Sequence, residues 1–262
     1  LIRTQELLDA RRIDGAGQFF SRAIDFGYSK TAEETLRIWD HDTVLADTVW
    51  VIRRFQPDVI VQRFSGTGRD GHGHHQASAM LAREAMAAAA DRSRFPEQLK
   101  FAPVWQVKRL LWNAFASASD PTRLTAEIGT YNPVLGFSYT EIGGMARSMH
   151  RTQGFGAPER RGAAQNYMVH VVGDLASKDL FDGIDLSWRR VQGGAAVGEL
   201  LAKAAGALTP EAPERIVPLL IEARRAMKRL NDAWAARKLE DLDHVIALAT
   251  GLWLDAAAER AT

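Results

Sequence analysis

Three of the chain's seven histidines fall within four residues, at His72, His74 and His75, inside the stretch Ser65-Gly66-Thr67-Gly68-Arg69-Asp70-Gly71-His72-Gly73-His74-His75-Gln76. Neutral imidazole is a common zinc ligand and the usual proton carrier near neutral pH, so this spacing suits metal binding or acid–base work. Glycines at 66, 68, 71 and 73 let the backbone turn tightly and approach a ligand without a Cβ in the way. Residues 66–71 also spell G-x-G-x-x-G, which brings backbone amides to a pyrophosphate. That reading ranks below metal binding, because the helix is expected only after the histidines. Asp91, at about the 20-residue distance of a ribose-binding acid, also ends an alanine-rich run instead of a second strand. A plainer alternative is that the imidazoles cap the helix or are solvated.

The elements that must position this loop are legible on either side of it. Asp58 to Phe64 is short, β-branched and almost unalternating, which predicts a buried strand of a parallel sheet. Gln76 to Ala90 is alanine-rich and predicts a helix. Loops beyond the carboxyl ends of such strands are where ligands bind in open α/β sheets. Upstream, helices are expected over Leu1 to Arg12 and from Thr43, an N-cap, to Phe55, with Pro57 as the stop. His41, between Asp40 and Asp42, reads as a solvated helix entry. Downstream, strands are expected over Val107 to Trp112 and Tyr167 to Val172, with a weaker one over Leu124 to Gly129. His170 reads as a sheet histidine. Tyr131 to Phe137 has turn chemistry, suiting a mobile segment beside a pocket or a plain connector. Ile142, Met145, Ala146 and Met149 give a helix over Tyr139 to His150 with one apolar face, leaving His150 at its end as a cap or a pocket rim. After Gly194 the pattern is purely helical, over Ala195 to Leu208, Pro213 to Leu230 and Leu239 to Ala258, with Trp234 and Trp253 as packing anchors.

These residues resemble the PIG-L (LmbE-like) zinc-dependent de-N-acetylases. The family's second motif, His-Pro-Asp-His before a helix, is matched in spacing by His72-Gly73-His74-His75. The resemblance implies that His75 is a zinc ligand and that His72 stabilises the transition state and protonates the leaving amine. Arg3-Thr4-Gln5-Glu6-Leu7 is similar to the family's Arg-x-x-Glu-Leu helix, whose arginine faces the sugar, so Arg3 takes that role. Asp25 falls where an acid contacts substrate hydroxyls, and Asp70 stands where some members carry a tyrosine beside the substrate. Pro103 to Trp112 is similar to the strand after the metal helix, and His150-Arg151-Thr152-Gln153 to the closing His-x-Ser/Thr-Gln. The first motif, His-Pro-Asp-Asp-Glu, supplies two zinc ligands and the general base in the family. It does not occur here, so the chain reads as a fragment lacking the first strand and helix.

With 33 basic and 32 acidic residues among 262, the formal net charge is +1, which gives no footing for a nucleic-acid or anionic-membrane partner. The chain has no cysteine, which excludes disulfides and thiolate metal sites, and it has neither an apolar run long enough to cross a membrane nor a visible signal peptide. The expectation is therefore an α/β domain over 1–194, with a Rossmann-like, mostly parallel sheet incomplete at its N-terminus, followed by a helical bundle over 195–262. Its implied cofactor is zinc and its substrate a small N-acylated sugar or related amide. A bare sheet edge would also invite pairing with a second copy. The competing expectation is a non-catalytic binding module that keeps the scaffold without the chemistry.

Overall fold

The strand, loop and helix around the histidines are present in the computed structural model, which describes residues 2–115 and 119–252. Val59–Gln62 forms β1, Gly73–Ala90 forms α4, and Arg109–Ala114 forms β2, which runs parallel to β1 with Val59 opposite Arg109 and Gln62 opposite Trp112. Before them come α1 (Ile2–Asp14), α2 (Ala32–Trp39) and α3 (His41–Phe55). Helix α2 is not among the expected elements. Its N-cap is Thr31, whose hydroxyl accepts from the amide of Glu34 at 3.2 Å. The apolar faces of α3 and α4 close on the sheet through Val44, Leu45, Val49, Leu81, Met86 and Leu110.

The sheet is mixed and not mostly parallel. Its order is β1, β2, β6 (Gln165–Gly173), β3 (Leu124–Glu127), and β6 runs antiparallel to both of its neighbours. Parallel pairing needs a crossover long enough to return the chain to the same end, and α4 supplies one between β1 and β2. Strand β1 has a single neighbour among the described residues, so it is a half-buried edge with Val61 exposed, and not the fully buried strand expected. A two-stranded ribbon of β4 (Tyr131–Asn132) and β5 (Phe137–Ser138) leads into α5 (Tyr139–Ser148). Ser138 caps α5 in a reciprocal box with Glu141.

Two arginines, not expected inside from their residue type, are fully buried. Arg53 donates to the carbonyls of Ala88, Ala89, Asp91 and Arg94, placing a cation at the negative C-terminal end of α4. Arg109 donates to the carbonyls of Asp174, Leu180 and Asp182, tying the segment after β6 to the sheet.

The contacts divide the chain into two units, Leu1–Gly183 and Ile184–Thr262. The second begins ahead of the glycine pair at 193–194 because Trp188 packs within the helices, its ring crossing that of Trp234 edge-on at 4.8 Å and lying 3.6 Å from where a Cβ on Gly198 would sit. Its helices are α6 (Ala195–Ala207), α7 (Val217–Met227) and α8 (Ala233–Thr250), closed around Val197, Leu220, Met227 and Leu242. Helix α8 starts at the cap Asp232, earlier than the Leu239 expected from periodicity alone. Its expected extension to Ala258, with Trp253, lies outside the described residues. No helix among the described residues is long and apolar enough to cross a membrane.

Candidate functional site

Helix α4 opens at Gly73, so His74 and His75 belong to its first turn and His72 is its N-cap. The start is fixed there by close packing. The Gly73 amide donates to the carbonyl of Ser29 at 2.8 Å, and a Cβ on Gly73 would lie 2.1 Å from the Thr31 carbonyl oxygen and 2.4 Å from the Ser29 hydroxyl. Ser29 and Thr35 are fully buried and hydrogen-bonded to each other, so the turn rests on a rigid polar knot.

The two histidines of the resembling motif are held in opposite tautomers. His72 Nδ1 accepts from the backbone N–H of His74 at 3.1 Å, which leaves the ring proton of the neutral form on Nε2. His75 Nδ1 lies 3.1 Å from the carbonyl oxygen of Asp70, which only accepts, so Nδ1 carries the proton and Nε2 keeps its lone pair. Burial is the first cause holding His72 below the usual imidazole range, and repulsion from His75, whenever that ring takes up a proton, acts in the same direction. It is therefore neutral at pH 7 and presents an N–H donor, while His75 presents a lone pair.

Aromatic rings fix the three imidazoles in place. Phe64 stacks on His75 at 3.8 Å and 7°, Tyr28 meets His72 edge-on at 4.9 Å, and His74 lies 4.4 Å from Phe26 and 4.9 Å from Trp39. His72 is 4.5 Å from His74 and 5.1 Å from His75, ring centre to ring centre. Nε2 of His74 is buried with no hydrogen-bond partner among the described residues, and burial pushes its pKa down as well. These rings were not singled out from the sequence, although Phe26 and Tyr28 alternate next to Asp25 and Trp39 closes α2.

Arg3 and Asp25 are brought to the same place. Their side chains pair at 3.0 Å, both half exposed, and both charges act on His74 while Asp25 also acts on His72. One helical turn further along α1, Glu6 accepts from the Thr152 amide at 2.8 Å and from its hydroxyl at 2.7 Å. Those bonds hold its pKa below the ordinary carboxylate value and tie the 3–7 helix to the 150–153 segment. Asp70 is placed differently. Its carboxylate accepts from the amides of Ser65, Gly66 and Thr67 at 3.0, 2.7 and 3.1 Å and from the Ser65 hydroxyl at 2.9 Å, so the side chain closes its own loop. His41 pairs with Asp42 and with Glu84 at 2.8 Å, and His170 Nε2 donates to the carbonyl oxygen of Gly173 at the end of its own strand, both apart from this cluster.

Among the described residues no group of three or more His, Asp or Glu side chains is arranged to hold a metal ion. A zinc centre needs at least three protein ligands. Here His75 offers one lone pair, and His72 has its Nδ1 lone pair occupied. The described residues alone do not make a zinc site.

No protein-family model matches this chain, and no curated protein shows significant similarity to it.

With neither comparison assigning a role, chemistry has to be read from geometry. The cluster combines a neutral N–H donor, an outward imidazole lone pair and an arginine–carboxylate pair at one end of a parallel strand pair. Such a set can bind a polar, hydroxyl-bearing molecule and stabilise negative charge developing on it.

Proposed function

We propose that the first unit is a Rossmann-like scaffold of the PIG-L type and carries the histidine-bearing half of an amide-hydrolysing site. The observation that carries this reading is the pair of opposed tautomers at His72 and His75. A ligand imidazole needs its free lone pair directed outward with the other nitrogen donating to a backbone carbonyl, and His75 is held that way. A group that stabilises an oxyanion or protonates a leaving amine needs an N–H, and His72 is held that way, neutral, as an electrophilic imidazole should be.

Further support comes from two motifs 146 residues apart in sequence, joined by the Glu6–Thr152 hydrogen bonds. Arg3 and Asp25 stand beside the histidines as partners for substrate hydroxyls. Asp70 serves the site through its carbonyl, which sets the His75 ring. The described residues supply neither the remaining metal ligands nor a general base for this reading.

One observation favours a non-catalytic binding module instead: His74, with its buried and unpartnered Nε2, is packed among aromatic rings like a binding-pocket wall.

Acetate release from N-acetylglucosamine and zinc content, measured on the whole protein, separate the two. His72→Ala should lower turnover about 10²- to 10⁴-fold with zinc content unchanged, and His75→Ala should lose the metal. Zinc lost from the His72 variant and kept by the His75 variant would reverse the roles. The absence of both zinc and acetate release in the unaltered protein would leave the binding module.

A further inference from the structure

Two helices of the first unit leave a groove between them beside the histidines. Residues 7, 11 and 14 of α1 and 143, 146 and 147 of α5 line it at helical spacing, and its volume is about 880 Å³, in the size range of a small-molecule site. Phe64 forms one wall, and the same ring stacks on His75 at 3.8 Å. The groove and the imidazole cluster are therefore neighbours across the thickness of one aromatic ring.

The groove is cationic, and its charges are unevenly answered. Arg11 is neutralised by Asp14, with Nε to Oδ1 at 2.8 Å. Glu6, on the same helix, is occupied by Thr152 and faces His150. Arg63 is oriented by the carbonyl and side chain of Asn113 at 3.0 and 3.1 Å and lies over the Phe115 ring, with no carboxylate partner among the described residues. Arg147 is exposed, and its guanidinium makes no hydrogen bond or ion pair among the described residues. It also borders a second cavity of about 530 Å³, where Arg160 likewise has no carboxylate partner among the described residues. Gly154 makes room for Arg147, and Gly143 is not needed for that. A Cβ on Gly154 would press on the Arg147 Cγ and carbonyl oxygen at 3.1 Å, while one on Gly143 would meet nothing within 4 Å.

Guanidinium groups without carboxylates, in a groove with apolar walls, are the arrangement that captures a carboxylate or phosphate through paired charge-assisted hydrogen bonds. We propose that this groove binds the anionic group, carboxylate or phosphate, of a small molecule whose acylated end reaches His72 and His75. The placement of that anion on the substrate rests on the deacetylase reading above; the binding of the anion does not. A nucleic acid would need a continuous basic face, whereas here the cations are confined to an interhelical groove on a chain of net charge +1.

The test is calorimetric titration of the full chain at low ionic strength with succinate and with inorganic phosphate, and with succinamide as the uncharged control that should not bind. At least one anion should bind, and which one does distinguishes a carboxylate from a phosphate source. Arg147→Ala should weaken that binding by about tenfold or more. Arg147→Lys should fall between, because it keeps the charge and loses the planar fork. Arg12→Ala, at a position paired with Asp9 on α1, should leave binding unchanged. Failure of both anions to bind, or equal affinity in the Arg147→Ala variant, overturns the proposal and leaves the deacetylase reading intact. Anion binding that depends on Arg147 in a protein releasing no acetate would uphold the groove and remove the deacetylase reading.

Discussion

The turn from Ser65 to His75 and the helical unit that begins at Ile184 are held together by opposite means. In the turn, the contacts are short and directional. One carboxylate gathers three consecutive amides, an imidazole caps the helix, and a glycine sits against a carbonyl where no side chain fits. In the helical unit, stability comes from apolar side chains such as Val197, Leu220 and Leu242, whose exact partners matter less than their volume. A structure of the first kind tolerates changes in apolar volume nearby and resists any change in backbone shape. One of the second kind does the reverse. That is why chemistry can be placed to a few tenths of an ångström on the turn, while the helices only have to be filled.

The substitution that should separate the two most sharply is Gly73→Ala. The added methyl would stand 2.1 Å from the Thr31 carbonyl and 2.6 Å from the Thr35 hydroxyl, in a knot that is already buried and hydrogen-bonded. Forcing the backbones apart should cost about 3 kcal/mol or more. It should also scramble the ring tautomers of His72 and His75, which long-range nitrogen–proton NMR correlations report directly. Leu220→Ala in α7 should cost a similar amount, about 3 kcal/mol, in denaturant unfolding, yet leave both tautomers as they were. A Gly73→Ala protein with unaltered stability would mean that residues 29–35 do not press on the turn.

This contrast also explains what could be read from the chain alone. Helices α5 to α8 are legible because their positioning force is burial, and burial writes itself into the spacing of residues such as Ile142 and Met145. The β1–loop–α4 unit is legible for the same reason, together with the residue types of the three histidines. The antiparallel course of β6 is not, because Tyr167 to Val172 is compatible with either direction and pairing is decided by distant strands. The α4 start at Gly73 is hidden too, since the atoms that fix it belong to Ser29, Thr31 and Thr35. Asp70 illustrates the limit at the site. Its position beside the histidines is plain in the sequence, but the direction of its carboxylate, toward 65–67, depends on a turn that only the folded backbone defines.

Asp70→Asn probes that direction with a smaller effect. The amide keeps the shape, but one oxygen becomes a donor facing amides that also donate, so the loop should lose about 1–3 kcal/mol. Hydrogen exchange at Gly66 and Thr67 should accelerate. On the deacetylase reading proposed above, the loss should appear in metal retention, through the His75 ring that the Asp70 carbonyl sets, more than in substrate affinity. A variant with normal exchange and a raised KM would instead place the carboxylate on the substrate.

The smallest effect at neutral pH, and the one that sharpens the comparison furthest, concerns two carboxylates. Glu141 in the first unit is lowered from 4.5 to about 2, first by the Ser138 amide at 2.9 Å and then by Arg161 at 2.6 Å. Asp243 in the helical unit is also lowered, first by its bond to Arg224. Both are depressed in the folded state, so each contributes stability that is present above its unfolded pKa and lost as pH falls through the folded value. For Glu141 that window runs from about 4.5 down to about 2. Glu141→Gln should flatten the fall in unfolding midpoint across that window, and so should Asp243→Asn for its own contribution. Salt should distinguish them. The Asp243 effect depends on a partly exposed arginine and should shrink at high ionic strength, whereas the leading contribution at Glu141 is a backbone N–H aimed at a buried oxygen, and should persist. Equal salt sensitivity at the two sites would mean that Arg161, and not the helix cap, is what holds Glu141 ionised.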